Sequence, residues 1–264
     1  MENKTRVISL TNNKGGVGKT TSTLNIGVGL ANRGRRVLLI DLDPQASLTI
    51  SLGLNSKDFL DKSIVQVLTK QKDVKECLFK IRENVYIIPS NKLLNDAEDL
   101  IKGKNFRESI LKNALDPIKE VFNYILIDCP PSLNVFTDKG LTASNEVFIP
   151  IEAEYLALQG TSQLVEKVNE IKEGNPNLKI TGVFLTKYDQ RKNLNKQVKE
   201  VLEQTFKGEV FNTNINTNVA LAEAPSHQKD IFSYEPTSSG AKDYASLVEE
   251  IIRQEGAFNE TETL

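Results

Sequence analysis

The feature that most constrains this chain is a run near its start, Asn12-Asn13-Lys14-Gly15-Gly16-Val17-Gly18-Lys19-Thr20-Thr21. An apolar, β-prone stretch (Arg6–Thr11) leads into it and a helical pattern (Lys19–Asn32) leaves it. A phosphate-binding loop requires that context, strand before and helix after. Gly15, Gly16 and Gly18 let backbone N–H groups curl around phosphate oxygens without Cβ clashes. The start of the following helix directs its positive dipole end at the same anions. Lys19 is placed to reach the β- and γ-phosphates, and the Thr20 hydroxyl to ligate Mg²⁺. The strict pattern G-x-x-x-x-G-K-[ST] asks for glycine at position 13. Asn13 stands there, the residue next most tolerant of a left-handed backbone.

Short β-rich runs alternate with helical patterns along the whole sequence. Strands are expected at Arg6–Thr11, Arg36–Asp41, Val85–Pro89, Tyr124–Asp128, Glu146–Ile151, Ile180–Thr186 and Glu209–Phe211. Continuous apolar runs such as Val37-Leu38-Leu39-Ile40 and Ile125-Leu126-Ile127 suit strands buried on both faces of a parallel sheet. Helices are expected at Lys19–Asn32, Ser63–Thr69, Phe106–Leu115, Leu158–Lys172, Leu194–Phe206 and Ala241–Arg253. The fold class is therefore α/β: a mostly parallel twisted sheet flanked by helices on both faces. With no internal repeat or Pro/Gly-rich linker, residues 1–264 read as one domain, with loose tails at about 1–4 and 255–264. The phosphate loop begins so early that no separate DNA-reading domain, and no autorepression of an operon, is expected.

Two acidic motifs join the loop. Asp41-Leu42-Asp43-Pro44-Gln45 ends the second strand, at the sheet edge where open α/β folds bind ligands, and strand alternation points Asp41 and Asp43 the same way. Asp128-Cys129-Pro130-Pro131-Ser132 ends an apolar strand with one carboxylate, in the manner of an acid that holds Mg²⁺ through water. Either acid alone also reads as a strand-end cap. With the loop, they read as a nucleotide site for ATP and Mg²⁺.

Composition removes other classes. Two cysteines, Cys77 and Cys129, without CxxC spacing, build neither a disulfide framework nor a zinc site, and His227 is the one histidine. No apolar stretch approaches the roughly 20 residues of a membrane span, and the first residues carry no signal-peptide core, so the chain reads as cytoplasmic.

Lys14 to Thr21, Asp41 to Gln45 and Asp128 to Ser132 together resemble the deviant Walker A ATPases of the ParA/MinD group. Glu152-Ala153-Glu154-Tyr155-Leu156-Ala157-Leu158 and Asn218 to His227 are similar to the ParA/Soj branch. The resemblance runs from about Arg6 to about Arg253. It implies a P-loop ATPase for plasmid or chromosome partition, whose ATP-dependent sandwich dimer binds DNA without sequence preference. A ParB-type partner would stimulate slow hydrolysis and reset the cycle. It further implies that Lys14 reaches across the dimer to the partner's phosphates and that Lys19 serves its own. Asp43 would position the attacking water, with Thr20, Asp41 and Asp128 around Mg²⁺. Asp128 to Ser132 would form a switch that senses the γ-phosphate. The segment from Asn214 to Pro225, with Asn218, would pass over the adenine. Positioning of a protein cargo is an alternative within the same family.

Local charge bears on the partner. The net charge of −2 hides a stretch from Lys187 to Lys207 with six basic residues against three acids. On its helix, Leu194, Val198, Val201 and Leu202 are expected to be buried, with Lys192, Lys196 and Lys199 on the other face. That face, with Arg191, offers contacts to double-stranded DNA phosphates, and it is equally the pattern of a solvated helix. Related sequences often carry arginine at Ala220 and a basic residue near Thr217. DNA contact would fall here to Arg191, Lys192, Lys196 and Lys199, with Lys229 or Lys242 in support, which places the protein on the nucleoid. A MinD-like membrane helix is disfavoured, because Glu249–Leu264 holds five acids against one arginine and anionic lipid would repel it. The cysteines do not fit the cluster loop of the related iron–sulfur reductases.

Overall fold

The computed structural model describes residues 4–102, 109–154 and 157–260. Seven strands form one sheet: β1 (Arg6–Leu10), β2 (Val37–Asp41), β3 (Phe79–Arg82), β4 (Val85–Ile88), β5 (Tyr124–Asp128), β6 (Glu146–Glu152) and β7 (Lys179–Thr186). Their order is β3-β4-β2-β5-β1-β6-β7, parallel throughout except for β3, which pairs antiparallel with β4 at one edge. Helices connect them: α1 (Lys19–Ala31), α2 (Ser47–Ser51), α3 (Ile64–Thr69), α4 (Leu94–Lys102), α5 (Ile110–Leu115) and α6 (Val135–Ala143). The second half adds α7 (Ala157–Lys172), α8 (Asn193–Thr205), α9 (Val219–Glu223), α10 (Ile231–Tyr234) and α11 (Ser239–Glu260).

Strand alternation divides the core. On β2, Val37 and Leu39 face one side, where they join Ile8, Leu10 and Leu126 under α1 and α11; Leu24, Val28, Leu247, Val248 and Ile251 close that layer. Leu38 and Ile40 face the other side with Ile125 and Ile127, against Leu68 of α3, Leu111 of α5 and Phe136 of α6. The same pattern on β6 and β7 buries Ile149, Ile151, Val183 and Leu185 beneath Leu164 of α7 and Leu202 of α8. Both faces of the central strands are dry, which is why these strands read as unbroken apolar runs. Close packing needs small residues on α1: a Cβ on Gly27 would lie 2.6 Å from Leu39 Cδ2, and one on Gly29 would lie 2.8 Å from Val248 Cγ2.

Pro150 sits in β6, a strand with neighbours on both sides, where a missing N–H would cost a ladder bond. It is tolerated because β1 pairs with β6 only through Phe148. The Pro150 carbonyl instead accepts from Asn12 Nδ2 at 2.9 Å, just as the chain enters the phosphate loop.

Several expectations are corrected. Glu209–Phe211 forms only a single bridge, Val183 to Val210, before the chain runs on beside β7. β3 was not expected. Leu194 and Val201 are not buried, since α8 turns Asn195, Val198 and Leu202 inward and leaves those two about 40% exposed. The tail expected from Glu255 is helical to Glu260: Arg35 holds the Glu255 carboxylate with both nitrogens at 2.9 and 2.8 Å, and Tyr124 donates to it at 2.7 Å. Residues 1–3 and 261–264 of the expected tails, Phe106 at the expected start of a helix, and Tyr155-Leu156 of the motif lie outside the described residues.

Candidate nucleotide site

The loop between β1 and α1 is held from both ends. Asn12 Oδ1 accepts from Lys14 N at 3.0 Å while its Nδ2 is on Pro150, so one side chain fixes the entry. Thr186, the last residue of β7, donates its hydroxyl to the Val17 carbonyl at 2.9 Å. Gly16 and Gly18 adopt φ of 74° and 88°, the left-handed region where a side chain would strain the backbone. Asn13 has no positive φ, so the missing glycine costs nothing there. Its amide donates to Gln163 Oε1 on α7 at 3.2 Å. Val17 is buried, and Gly15 and Gly16 are exposed.

Lys19 opens α1, and its ammonium donates to the Lys14 carbonyl at 3.0 Å, arching over the loop. Burial lowers its pKa, and the nearby Asp128 charge partly restores it. Thr20 donates to Asp128 Oδ2 at 2.7 Å, and Thr23, one turn later on the same helix face, donates to Oδ1 at 3.3 Å. Thr21 is half-buried beside them, and its carbonyl accepts from Asn25 Nδ2.

Asp41 lies opposite Asp128 in the register of β2 and β5, and both are fully buried. Burial, reinforced by the Asp41 charge, pushes Asp128 up to about 8. Burial pushes Asp41 up to about 6, against the pull of hydrogen bonds from Thr49 Oγ1 (2.7 Å), Thr49 N (2.9 Å) and Asp43 N (3.1 Å). Both Asp41 oxygens are thus committed to the α2 turn, whereas Asp128 meets only hydroxyls from α1. Asp43 stands close enough for its charge to act on Asp41, Asp128 and Lys19. It lies past the end of β2, part-exposed, and its Oδ1 accepts from Gln45 N at 2.9 Å.

The donors suit a magnesium nucleotide. Two stacked carboxylates repel each other when ionised, and a divalent cation beside Thr20 and Asp128 relieves that repulsion. Among the described residues no cluster of three or more acidic, histidine or cysteine side chains could hold a metal by itself. Magnesium bound by one or two protein oxygens takes the rest of its shell from phosphates and water.

Lys14 is placed differently. Its ammonium is turned from the loop's interior to the carboxyl edge, 2.7 Å from Glu154 and 3.4 Å from Glu152. The segment named for the base runs along β7 to the same edge: Ile215 N donates to Leu185 O and Thr217 N to Tyr188 O. There Asn218 caps α9, accepting from Leu221 N at 3.1 Å and donating to Ser239 Oγ at 2.7 Å. Pro225 is the second residue of the short turn Ala224–His227, whose exposed His227 stacks on Tyr234 at 4.9 Å.

Of the basic residues, Arg191 is 86% exposed and grips Asp189 with two nitrogens at 2.9 Å each. Lys192 and Lys196 are exposed, while Lys199 leans on the Asn212 carbonyl at 3.2 Å. Sequence reasoning missed Thr23, Thr49, Thr186 and the Glu152–Lys187 pair. Only Thr23 had a readable signal, its spacing of three from Thr20 on one helix. Among the described residues no helix is long and apolar enough to cross a membrane.

Comparison with known proteins agrees with this geometry. A family model described as an AAA domain matches residues 5–180. The sporulation initiation inhibitor protein Soj of Bacillus subtilis (strain 168) is 44% identical over 248 residues, covering 93% of this chain and 98% of that one. The chromosome-partitioning ATPase Soj of Treponema pallidum (strain Nichols) is 39% identical over 253 residues, covering 95% and 98%. Among solved structures, cobyrinic acid a,c-diamide synthase from Mycobacterium smegmatis with bound ADP and magnesium superposes with a TM-score of 0.83 at 34% identity, covering 95% of each chain. The phosphate loop, the acid pair and relatives matched end to end together place this chain in the ParA/Soj family of P-loop ATPases.

Proposed function

We propose that this chain is a partition ATPase: it binds ATP with Mg²⁺, dimerises on the nucleotide, and in that state binds double-stranded DNA without sequence preference. The reading treats residues 1–264 as one ATPase unit. Its main support is Lys14. A phosphate loop needs one lysine for its own nucleotide, and Lys19 fills that role. A second ammonium on the same loop, 44% exposed and turned to the rim, is available to a partner's nucleotide.

Each side chain then has a task. Backbone N–H groups of Gly15 to Thr21 and the Lys19 ammonium bind the phosphates. Thr20 and Asp128 hold Mg²⁺, and Asp41 keeps the α2 turn in place. When bound, Mg²⁺ neutralises charge on the β- and γ-phosphate oxygens. Asp43, at the exposed end of that turn, orients the attacking water. Asp128 itself, raised by burial, must give up its proton as the metal site fills. Asn218 and Pro225 shape the loop beside the base. Few groups in the site are offered as a strong base, so turnover is slow until a ParB-type partner completes the geometry.

Arg191, Lys192, Lys196 and Lys199 supply DNA phosphate contacts, none of them an evident base reader. The same chemistry would serve chromosome or plasmid cargo. Cys77 and Cys129 are both buried, with burial pushing them up to about 11 and about 12, far from a reactive thiolate.

The test is a titration of two unrelated duplexes with protein held in ATPγS or in ADP. Equal binding of both duplexes, confined to ATPγS and weakening steeply with salt, is expected. A strong preference for one duplex, or no binding at low salt, contradicts the proposal.

A further inference from the structure

Three neighbouring strands deliver charge to one point on the carboxyl edge. β1 runs into the loop that carries Lys14, β6 ends on Glu152, and β7 pairs Thr186 with Glu152 before the chain turns at Lys187. Lys187 Nζ donates to Glu152 Oε1 at 2.9 Å, and Lys14 Nζ lies 3.4 Å from the other oxygen. One carboxylate, only 13% exposed, is therefore shared by two ammonium groups that are each about half exposed. Glu154, bonded to Lys14 at 2.7 Å, is open to solvent. Glu154 and then Glu152 raise the Lys14 pKa, so the lysine stays charged in this position. Lys187 takes φ of 50°, uncommon for a long side chain, with Ala153 N on the Thr186 carbonyl to one side and Tyr188 N on Ile215 O to the other.

We propose that Glu152 is a positioning residue for Lys14: with Glu154 it holds the lysine in cis, and Lys187 sets how firmly. The inference rests on the reading that Lys14 acts across a dimer. To reach a partner's phosphates, Lys14 must leave both acids. A bound ATP competes for it with more negative charge than ADP does, so the clasp makes dimerisation depend on the γ-phosphate. When Lys14 leaves, Lys187 stays and keeps the largely buried Glu152 paired. Without Lys187, Glu152 would pull on Lys14 alone and resist its departure.

Sedimentation velocity with ATPγS and with ADP tests this on wild type, Glu152→Gln, Lys187→Met, the double variant and Lys14→Ala. Exposed and half-buried pairs of this kind change an equilibrium by about 2–5-fold. Glu152→Gln should tighten the ATPγS dimer by that factor and raise the dimer fraction in ADP. Lys187→Met should weaken the dimer by a similar factor in the wild-type background and leave it unchanged in Glu152→Gln. That lost effect is a coupling that general damage to the fold would not produce. The proposal fails if Glu152→Gln weakens the dimer or leaves it unchanged, or if Lys187→Met acts equally in both backgrounds. The outcomes separate the clasp from the reading beneath it. Lys14→Ala dimerising like wild type removes the trans lysine itself. Lys14→Ala staying monomeric while Glu152→Gln changes nothing removes only the clasp.

Discussion

Asp41 and Asp128 face each other across β2 and β5, both fully buried, and burial together with the Asp41 charge raises the Asp128 pKa. The Asp128 value of about 8 stands well above the ordinary 3.8. Between those values the folded chain holds a proton that the unfolded chain has released, so stability is lost as pH rises through the window. Nucleotide-free protein should therefore melt lower at pH 8 than at pH 6. Asp128→Asn should raise the melting temperature at pH 8 by roughly 2–5 °C and should gain much less at pH 6. Thermal scans at the two pH values check this, and a gain equal at both would assign the effect to something other than titration.

Asp43 should be separable from the fold. Its side chain makes one local hydrogen bond, to Gln45 N, and it is part-exposed. Asp43→Ala should cost little stability, keep nucleotide binding and lower hydrolysis by at least about 10-fold, because only water positioning is lost. Chromatography with ATP and Mg²⁺ should then show a persistent dimer, and phosphate-release assays should show the lost turnover.

Arg6 and Glu146 form a buried bidentate pair at the opposite edge of the sheet, at 2.6 and 2.5 Å. Arg6 also donates to the Ile251 carbonyl and to Gln254, which ties α11 to the sheet. Glu146→Gln leaves the Arg6 charge buried without its counter-ion, and such a loss costs about 3–5 kcal/mol. Urea unfolding should show it as a lower midpoint, and hydrogen exchange should show the loss of protection concentrated in α11. Unchanged protection there would mean that apolar packing alone holds the helix.

Much of this was legible. The runs Val37–Ile40 and Ile125–Ile127 suit inner strands, and both are buried on both faces. Lys19, Thr20 and Asp128 meet because strand, loop and helix leave few other geometries. β3 was missed although its signal exists: Phe79–Arg82 alternates apolar and charged residues, and just two residues separate it from Val85–Ile88, with Asn84 at φ of 59°. Exposure of Leu194 and Val201 was not readable, because an apolar residue on the flank of a helix stripe has the same spacing as one at its centre. The Lys14–Glu154 and Arg6–Glu146 contacts join residues 140 apart in sequence, and side-chain pairing across strand ends leaves no local pattern. Lys14 was legible as a residue, and its acid clasp was not.

The central claim is that Lys14 serves a partner's nucleotide while Lys19 serves its own. The direct measurement is the dimer dissociation constant in ATPγS for wild type, Lys14→Ala and Lys19→Ala, taken beside the affinity of each for a fluorescent ATP analogue. Lys14→Ala should bind the analogue within about 3-fold of wild type and remain monomeric, a loss of at least 10-fold in dimer affinity for a charge-assisted contact. Lys19→Ala should lose both. A Lys14→Ala protein that dimerises as wild type does, with its nucleotide bound, would contradict the account.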